Sequence, residues 1–526
     1  MKKLIALLLV LVMVVGLFAA CGGEKTPDTT AGSNTPDTPD TPDTPDVPDT
    51  TAGIDISEHV VLTMYCIGDE GGIYAQEHLD KLNAVLTEKI NAEIEPIMVS
   101  WGDYKTKLPM VWASGEAYDL TYTANWVSYF DEGSKGAFMD ITELFPKYAP
   151  ETYAELEGLG QLETTKINDK LYMVPNNLPD YTTFMFNYRE DLRKKYNCPE
   201  IDSWEDLEVY MQAIKDNEPG MLAYAIPGND AVKTQTWLNE MDWARPVDNG
   251  SVGVFTYDLN DPTSIFNLVN TPEYEAYVMK QHEYYKAGYW SQSVMAETTA
   301  VKDAFLTGKS AIYAANFSNS NGVYTELSNS QPDWEIGIWS SDYDSGTVES
   351  IAATNNGMCV GAYSKNPERA LMFIELCHQD EEVYHILMDG LEGVTFEADY
   401  DKMVKWVPES TDPTTTNLKN LGMGFGSQKF YLGSLNDSPL VNQIKEDYAG
   451  LKVFPALSGF VINKDNIDAE LAAIKSVCDE YKVPLEKGAV DDPAEALATL
   501  REKLEAAGVD KVLEEINTQL AAYLAK

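Results

Sequence analysis

Catalysis needs particular side chains at particular spacings, and this chain of 526 residues offers few such sets. It has no G-x-S-x-G elbow, no Gly-Lys phosphate loop, no H-E-x-x-H pair and no dinucleotide fingerprint behind a strand. The run Gly422-Met423-Gly424-Phe425-Gly426-Ser427 lacks the spacing and the cation that a phosphate would need, and reads as a flexible loop. His378 and His385 stand two helical turns apart, too far to share a metal without ligands from elsewhere. Asp342-x-Asp344-x-Gly346 begins like a calcium loop, but the glycine comes one place early and no Glu closes it, so an acidic turn is expected. Two carboxylates facing each other across a sugar would make a glycosidase, yet among 84 acidic residues such a pair can be chosen anywhere. That pattern selects nothing.

Holding a neutral, hydroxyl-rich molecule takes other materials: aromatic faces for its C–H surfaces and short polar side chains for its hydroxyls. The chain places these where its elements end. An apolar strand at 60–66, a helix around Leu79 to Ile90 and a strand at 93–99 give a strand-helix-strand order that recurs, predicting a parallel or mixed sheet with helical crossovers. Trp101 opens the next helix, which runs to Ala113. The strand after it, at 118–122, runs out into Ala124-Asn125-Trp126, an amide and a large ring at the carboxyl end, where open α/β sheets bind ligands.

Residues 168–189 carry the organisation of the rest. A turn at Asn168-Asp169 leads into a short apolar strand ending at Pro175; the polar joint Asn176-Asn177-Leu178-Pro179-Asp180 follows, then a second apolar run, Phe184-Met185-Phe186. Two strands around a Pro-flanked, Asn-rich joint suggest a chain leaving one folded unit and entering another. Together with Tyr118-Asp119-Leu120 and Gly308-Lys309-Ser310-Ala311-Ile312-Tyr313, this stretch resembles the family 1 extracellular solute-binding proteins of ABC importers. The likeness covers nearly all of the chain after about residue 57.

That resemblance implies an α/β, two-lobed periplasmic-binding-protein-like fold of type II, with hinge crossings and a C-terminal helical module. It implies a first lobe at 58–175 to which about 300–350 returns, a second at 176–299 joined by about 351–460, and a helical region at 461–526. Its ligand, an oligosaccharide, would lie between the lobes. Candidate contacts are Trp101, Asn125 and Trp126 beside the early strands; Asn176, Asn177 and Asp180 at the crossing; and Trp237, Trp243 and Trp290 from the aromatic-rich middle. Asn316 and Phe317 follow the strand at 311–315, and Asn355 and Asn356 mark a return. No catalytic residue, cofactor or metal is implied, and the partners would be the ABC permease subunits, with the protein a monomer. Two other classes stay open, a secreted carbohydrate-active enzyme and a surface adhesin lipoprotein. Gly390-Leu391-Glu392-Gly393-Val394 and the terminal helices resemble a carboxyl-terminal module of a subset of these lipoproteins.

The chain begins with Lys2-Lys3, an apolar run from Leu4 to Val15 and small residues ending at Ala20, an export signal over 1–20. Phe18-Ala19-Ala20-Cys21 looks like a bacterial lipobox, with Phe18 where Leu is usual; Cys21 would carry the lipid on the outer face of the cytoplasmic membrane. Residues 22–57 repeat Thr-Pro-Asp, which cannot build a core and favours extended polyproline II, a tether able to span roughly 110 Å. A net charge of −46 repels nucleic acid and anionic lipid, so membrane contact would come through Cys21 alone. Cysteines 66, 198, 359, 377 and 478 show neither C-x-x-C nor metal spacing and are expected to be free and buried.

Overall fold

A computed structural model describes residues 54–526 apart from 179, 182–184, 227–243, 248–252, 298–299, 343–347, 413–414, 454–456, 458 and 526. The signal, Cys21, most of the tether, Trp237, Trp243, Asp344 and Gly346 lie outside the described residues. Residues 54–526 form one compact unit.

Two sheets organise it. The first contains β1 (Val60–Ile67), β2 (Ala92–Val99), β3 (Leu120–Thr123) and β4 (Met173–Pro175). The second contains β5 (Met185–Arg189), β6 (Ile312–Ala315) and β7 (Ile336–Trp339), after which the chain returns to the first sheet as β8 (Gly357–Val360). The first sheet has the order β2-β1-β3-β8-β4, with β1, β2 and β3 parallel and β8 antiparallel to both its neighbours. The second has the order β7-β5-β6, all antiparallel. In the first sheet, therefore, the carboxyl ends of β1 to β4 and the amino end of β8 share one rim. In the second, the start of β5 and the ends of β6 and β7 share another, and the chain passes from rim to rim between β4 and β5 and again between β7 and β8.

This corrects the expected lobe boundaries. The segment around 300–350 does not return to the first lobe: Met185 pairs with Ala315 and Phe186 with Trp339, which keeps β6 and β7 beside β5. The return comes later, where Gly357 pairs with Thr123 and Pro175. Helices Pro367–Gln379 and Glu381–Met388 then pack into the first core, with Phe373 and Ile374 fully buried beside Leu82 and Leu120.

The expected C-terminal helical region is present, and it packs onto the second lobe. Leu497, Leu500, Leu504, Val512, Ile516 and Leu520 share one core with Phe186, Tyr210, Tyr274 and Trp290 of the second lobe. Gly508, at φ +90°, takes the left-handed turn that separates the last two helices. Asn517 grips the backbone of Ile265 by accepting from its N–H and donating to its C=O, both at 2.8 Å.

The glycine run at 422–426 is closely packed where a flexible loop was expected. An added Cβ would lie 2.2 Å from Met358 Sδ at Gly424 and 2.5 Å from Met388 Sδ at Gly422. Those residues are glycine because sulfur atoms occupy the space. Cysteines 66, 198, 359, 377 and 478 are buried, and none of them is in a disulfide. Asn366 precedes its helix without capping it, donating instead to Asp119 Oδ1 at 3.2 Å.

His378 and His385 have separate fates. His385 Nδ1 lies 2.6 Å from Asp389 Oδ2. His378 is fully buried with neither ring nitrogen hydrogen-bonded among the described residues, and burial pulls its pKa down to about 4. The unfolded chain, with an ordinary imidazole, takes up the proton first as pH falls. Stability should therefore be complete above about pH 6.5 and decline towards pH 4, by up to roughly 3 kcal/mol from this group. Urea unfolding at pH 7 and pH 4.5 should show that loss in the native protein and a smaller one in His378→Leu.

Candidate functional site

The rim of the first sheet collects most of the expected side chains. Past β3, Ala124 is still extended, and Asn125–Val127 then makes a single tight turn that lays the Trp126 ring along the rim. Trp126 Nε1 donates to the backbone oxygen of Asn355 at 2.8 Å, tying the end of β3 to the approach of β8. Tyr122 Oη donates to Asn356 Oδ1 at 2.6 Å, and Asn176 N donates to Asn356 O at 3.0 Å. Three strand ends are thus cross-linked by polar contacts that fix the positions of the amides.

The ring of Trp101, first residue of helix Trp101–Ser114, lies nearly parallel to Trp126, with centroids 6.5 Å apart and planes 10° from each other. Tyr122 leans on Trp126 from 6.1 Å. Trp101 is 50% exposed, so the stacked pair, with Tyr122 tilted at 54° against its inner ring, ends in an exposed aromatic side chain. Lys105, one turn along the same helix, sets its Nζ 5.2 Å from the Trp126 centroid. Asn125, Asn176, Asn355 and Asn356 are half-buried around this stack. A rigid aromatic surface bordered by amides suits C–H faces and hydroxyls. Tyr122 and Lys105 were not anticipated. Their spacing could have shown them: Tyr122 precedes Trp126 at the same strand end, and Lys105 is i+4 from Trp101.

Other expected residues do different work. Asn177 is buried, with both polar atoms of its side chain bonded within the protein: Nδ2 donates to Glu155 Oε1 at 2.6 Å, Oδ1 accepts from Gln428 N at 3.0 Å, and its backbone bonds Gly426 and Gln428. It pins the crossing in place. Asp180 is half-buried within the crossing. Its carbonyl accepts from Ile351 N at 3.1 Å, and next to it Tyr181 bridges Ser350, so the two crossings are joined side by side. Burial raises the Asp180 carboxyl pKa, with only the Tyr181 amide and the Lys445 charge opposing it.

On the second rim, Asn316 is exposed and caps helix Phe317–Ser330, accepting from Asn319 N at 3.0 Å. Phe317 is core, edge-on to Tyr181 and Tyr448, because the first helical turn points it inward. Trp290 is core too: it is 1% exposed, packs against Tyr284, and its Nε1 donates to Lys487 O at 3.0 Å. No group of three or more His, Cys, Asp or Glu among the described residues could hold a metal.

Residues 75–382, more than half of the chain, match the family described as bacterial extracellular solute-binding protein. This chain is a member of that family. Such a solute-binding protein works outside the cytoplasm. Residues 456–525 match a second family, described only as a domain of unknown function. A carbohydrate ABC transporter substrate-binding protein from Streptococcus pneumoniae is 26% identical over 89% of this chain and 92% of its own length. Among solved structures, the N-glycan transport solute binding protein of S. pneumoniae is 24% identical, covering 89% of this chain and 99% of its own with a TM-score of 0.72. An alginate-binding protein at 15% identity gives 0.64 over 89% and 99%. These likenesses place the solute-binding protein described here in the two-lobed, type II periplasmic-binding-protein-like fold.

Proposed function

We propose that this protein captures an oligosaccharide between the two sheet rims and delivers it to the transmembrane subunits of an ABC importer, without chemical change to the sugar. The observation that carries this reading is the half-exposed Trp101 face, backed by Trp126 and Tyr122 and bordered by Asn125, Asn176, Asn355 and Asn356. Relatives point the same way: the pneumococcal homologue is a carbohydrate transporter component, and the N-glycan transport protein was solved with Man1GlcNAc and with Man5GlcNAc. Asp180 and Asn316, at the crossing and on the opposite rim, would complete the grip. A ligand touched by both rims favours the arrangement in which they approach, and the permease would read that arrangement. Lipidation of Cys21, with the Thr-Pro-Asp segment as tether, would keep the protein at the membrane as a monomer.

A thermal-shift screen of residues 54–526 against mannose- and N-acetylglucosamine-containing oligosaccharides, peptides and anions tests this. A ligand at about 100 times its Kd adds about 2.7 kcal/mol to native stability. The expected result is a rise with one class of oligosaccharide, recovered uncut. Cleaved sugar would make the protein an enzyme, and no rise with any sugar would favour an adhesin.

A further inference from the structure

Away from the Trp101–Trp126 rim, a groove of 540 Å³ runs along β7, the outer strand of the second sheet, which has no second strand neighbour among the described residues. Its floor is the strand itself. Glu190 N donates to Glu335 O at 2.9 Å, making 190–335 a hydrogen-bonded pair. Antiparallel alternation then makes Gly337–Tyr188 and Trp339–Phe186 hydrogen-bonded pairs as well. The N–H and C=O groups of Ile336 and Ile338 consequently face away from β5, into the groove. Neither has a hydrogen-bond partner among the described residues.

The groove is kept open by a specific packing choice. The Tyr188 ring lies across Gly337, where an added Cβ would sit 2.3 Å from Tyr188 Cζ. One wall carries Glu200 and Asp202, which form no ion pair among the described residues, and the other carries Leu440, 45% exposed. Exposed strand edges invite pairing and are usually blunted by lysine, proline or a bulge. Ile336 to Trp339 contain none of those; of the carboxylates lining the groove, Glu190 is paired with Arg193 at 2.6 Å, which leaves Glu200 and Asp202 as the ones outside an ion pair among the described residues. Leu440 belongs to helix Pro439–Tyr448, whose Tyr448 packs on Tyr181 of the first crossing, so one wall of the groove is mounted on the hinge.

We propose that β7 is a docking edge that accepts an extended segment of a partner polypeptide as an added strand, with Lys or Arg side chains towards Glu200 and Asp202 and apolar ones against Leu440. Main-chain bonds to Ile336 and Ile338 supply affinity, and the alternating side chains supply selectivity. A partner seated there touches both the second sheet and a hinge-borne helix, and so can sense the setting of the lobes.

The probe is a short synthetic peptide alternating lysine and valine, titrated calorimetrically into residues 54–526 without any sugar, so the result is independent of the saccharide reading. Ile338→Pro removes an outward N–H while leaving the β5 ladder intact, as proline does on edge strands. It should weaken binding about tenfold. Glu200→Lys with Asp202→Lys should weaken it similarly and abolish its salt dependence. On the native protein, the same peptide with proline in place of each valine should bind about tenfold less tightly, a comparison that needs no folded variant. Equal affinity for the two peptides, or for Ile338→Pro and the native protein, would overturn the proposal, leaving only diffuse attraction to an acidic surface. A dimer in sedimentation that Ile338→Pro abolishes would also overturn it, making the occupant a second copy of this chain.

Discussion

Trp101→Ala should weaken oligosaccharide binding by about thirtyfold or more while leaving the fold nearly as stable as before. The asymmetry follows from where the ring stands. Trp101 is half exposed, and no hydrogen bond from the described residues holds its indole, so its removal forfeits the stacking on Trp126 and part of one helical turn, about 1 kcal/mol. For a ligand the loss is larger, because a rigid aromatic anchor at the centre of a recognition surface contributes at least about 2 kcal/mol, and each 1.4 kcal/mol is tenfold in Kd. Trp101→Phe keeps an aromatic face and should recover most of the affinity. Trp126→Ala would be a poorer probe, since it also breaks the bond to Asn355 that ties β3 to β8. Calorimetric titration of native and Trp101→Ala protein, with urea unfolding of both, separates affinity from stability. Equal Kd values would remove the aromatic stack from the site.

The second large effect is on stability, at the far end of the chain. Lys482 Nζ and Glu486 Oε1 are 3.0 Å apart with their side chains 5% and 0% exposed, and Tyr274 Oη donates to the same carboxylate oxygen at 3.1 Å. This pair lies where the C-terminal helices meet helix Pro272–Ala287 of the second lobe. Lys482→Met would leave the Glu486 charge buried without its cation, and should cost about 3–5 kcal/mol. Replacing both partners by methionine removes the stranded charge as well, so the double variant should regain most of that loss. Urea unfolding of the two variants against the native protein decides it. A loss under about 1 kcal/mol for Lys482→Met would mean that the terminal helices are not integral to the second core.

How far the sequence could be read depended on whether a residue's role was set locally. The helix from Trp101 and the strand ending before Trp126 were legible because apolar runs and their breaks mark element ends, and the carboxyl rim of a parallel sheet follows from strand-helix-strand order. Pairing partners are not local. β6 and β8 are both short apolar strands near Asn-rich turns, and nothing in either says that one joins β5 and the other β3. Reversing them misplaced the lobe boundaries.

Trp290 and Phe317 show the same limit at the level of side chains, since a ring suits a core as well as a cleft, and only the tertiary neighbours Tyr284 and Tyr448 decide. Asn177 lies in the crossing segment, but the groups that bond its side chain come from Glu155 and Gln428, distant in sequence. The amphipathic faces of the terminal helices were visible as a pattern. That they close over Tyr274 and Trp290 was not, because a pattern names a buried face without naming what buries it.

The most direct measurement is a crystal structure of residues 54–526 grown with the oligosaccharide that gives the largest thermal shift. The account predicts a sugar ring stacked on Trp101, its hydroxyls bonded by the amides at Asn125, Asn176, Asn355 or Asn356, and a contact from the second rim near Asn316. A sugar bound elsewhere with the Trp101 face bare, or one held by a single rim, would contradict it.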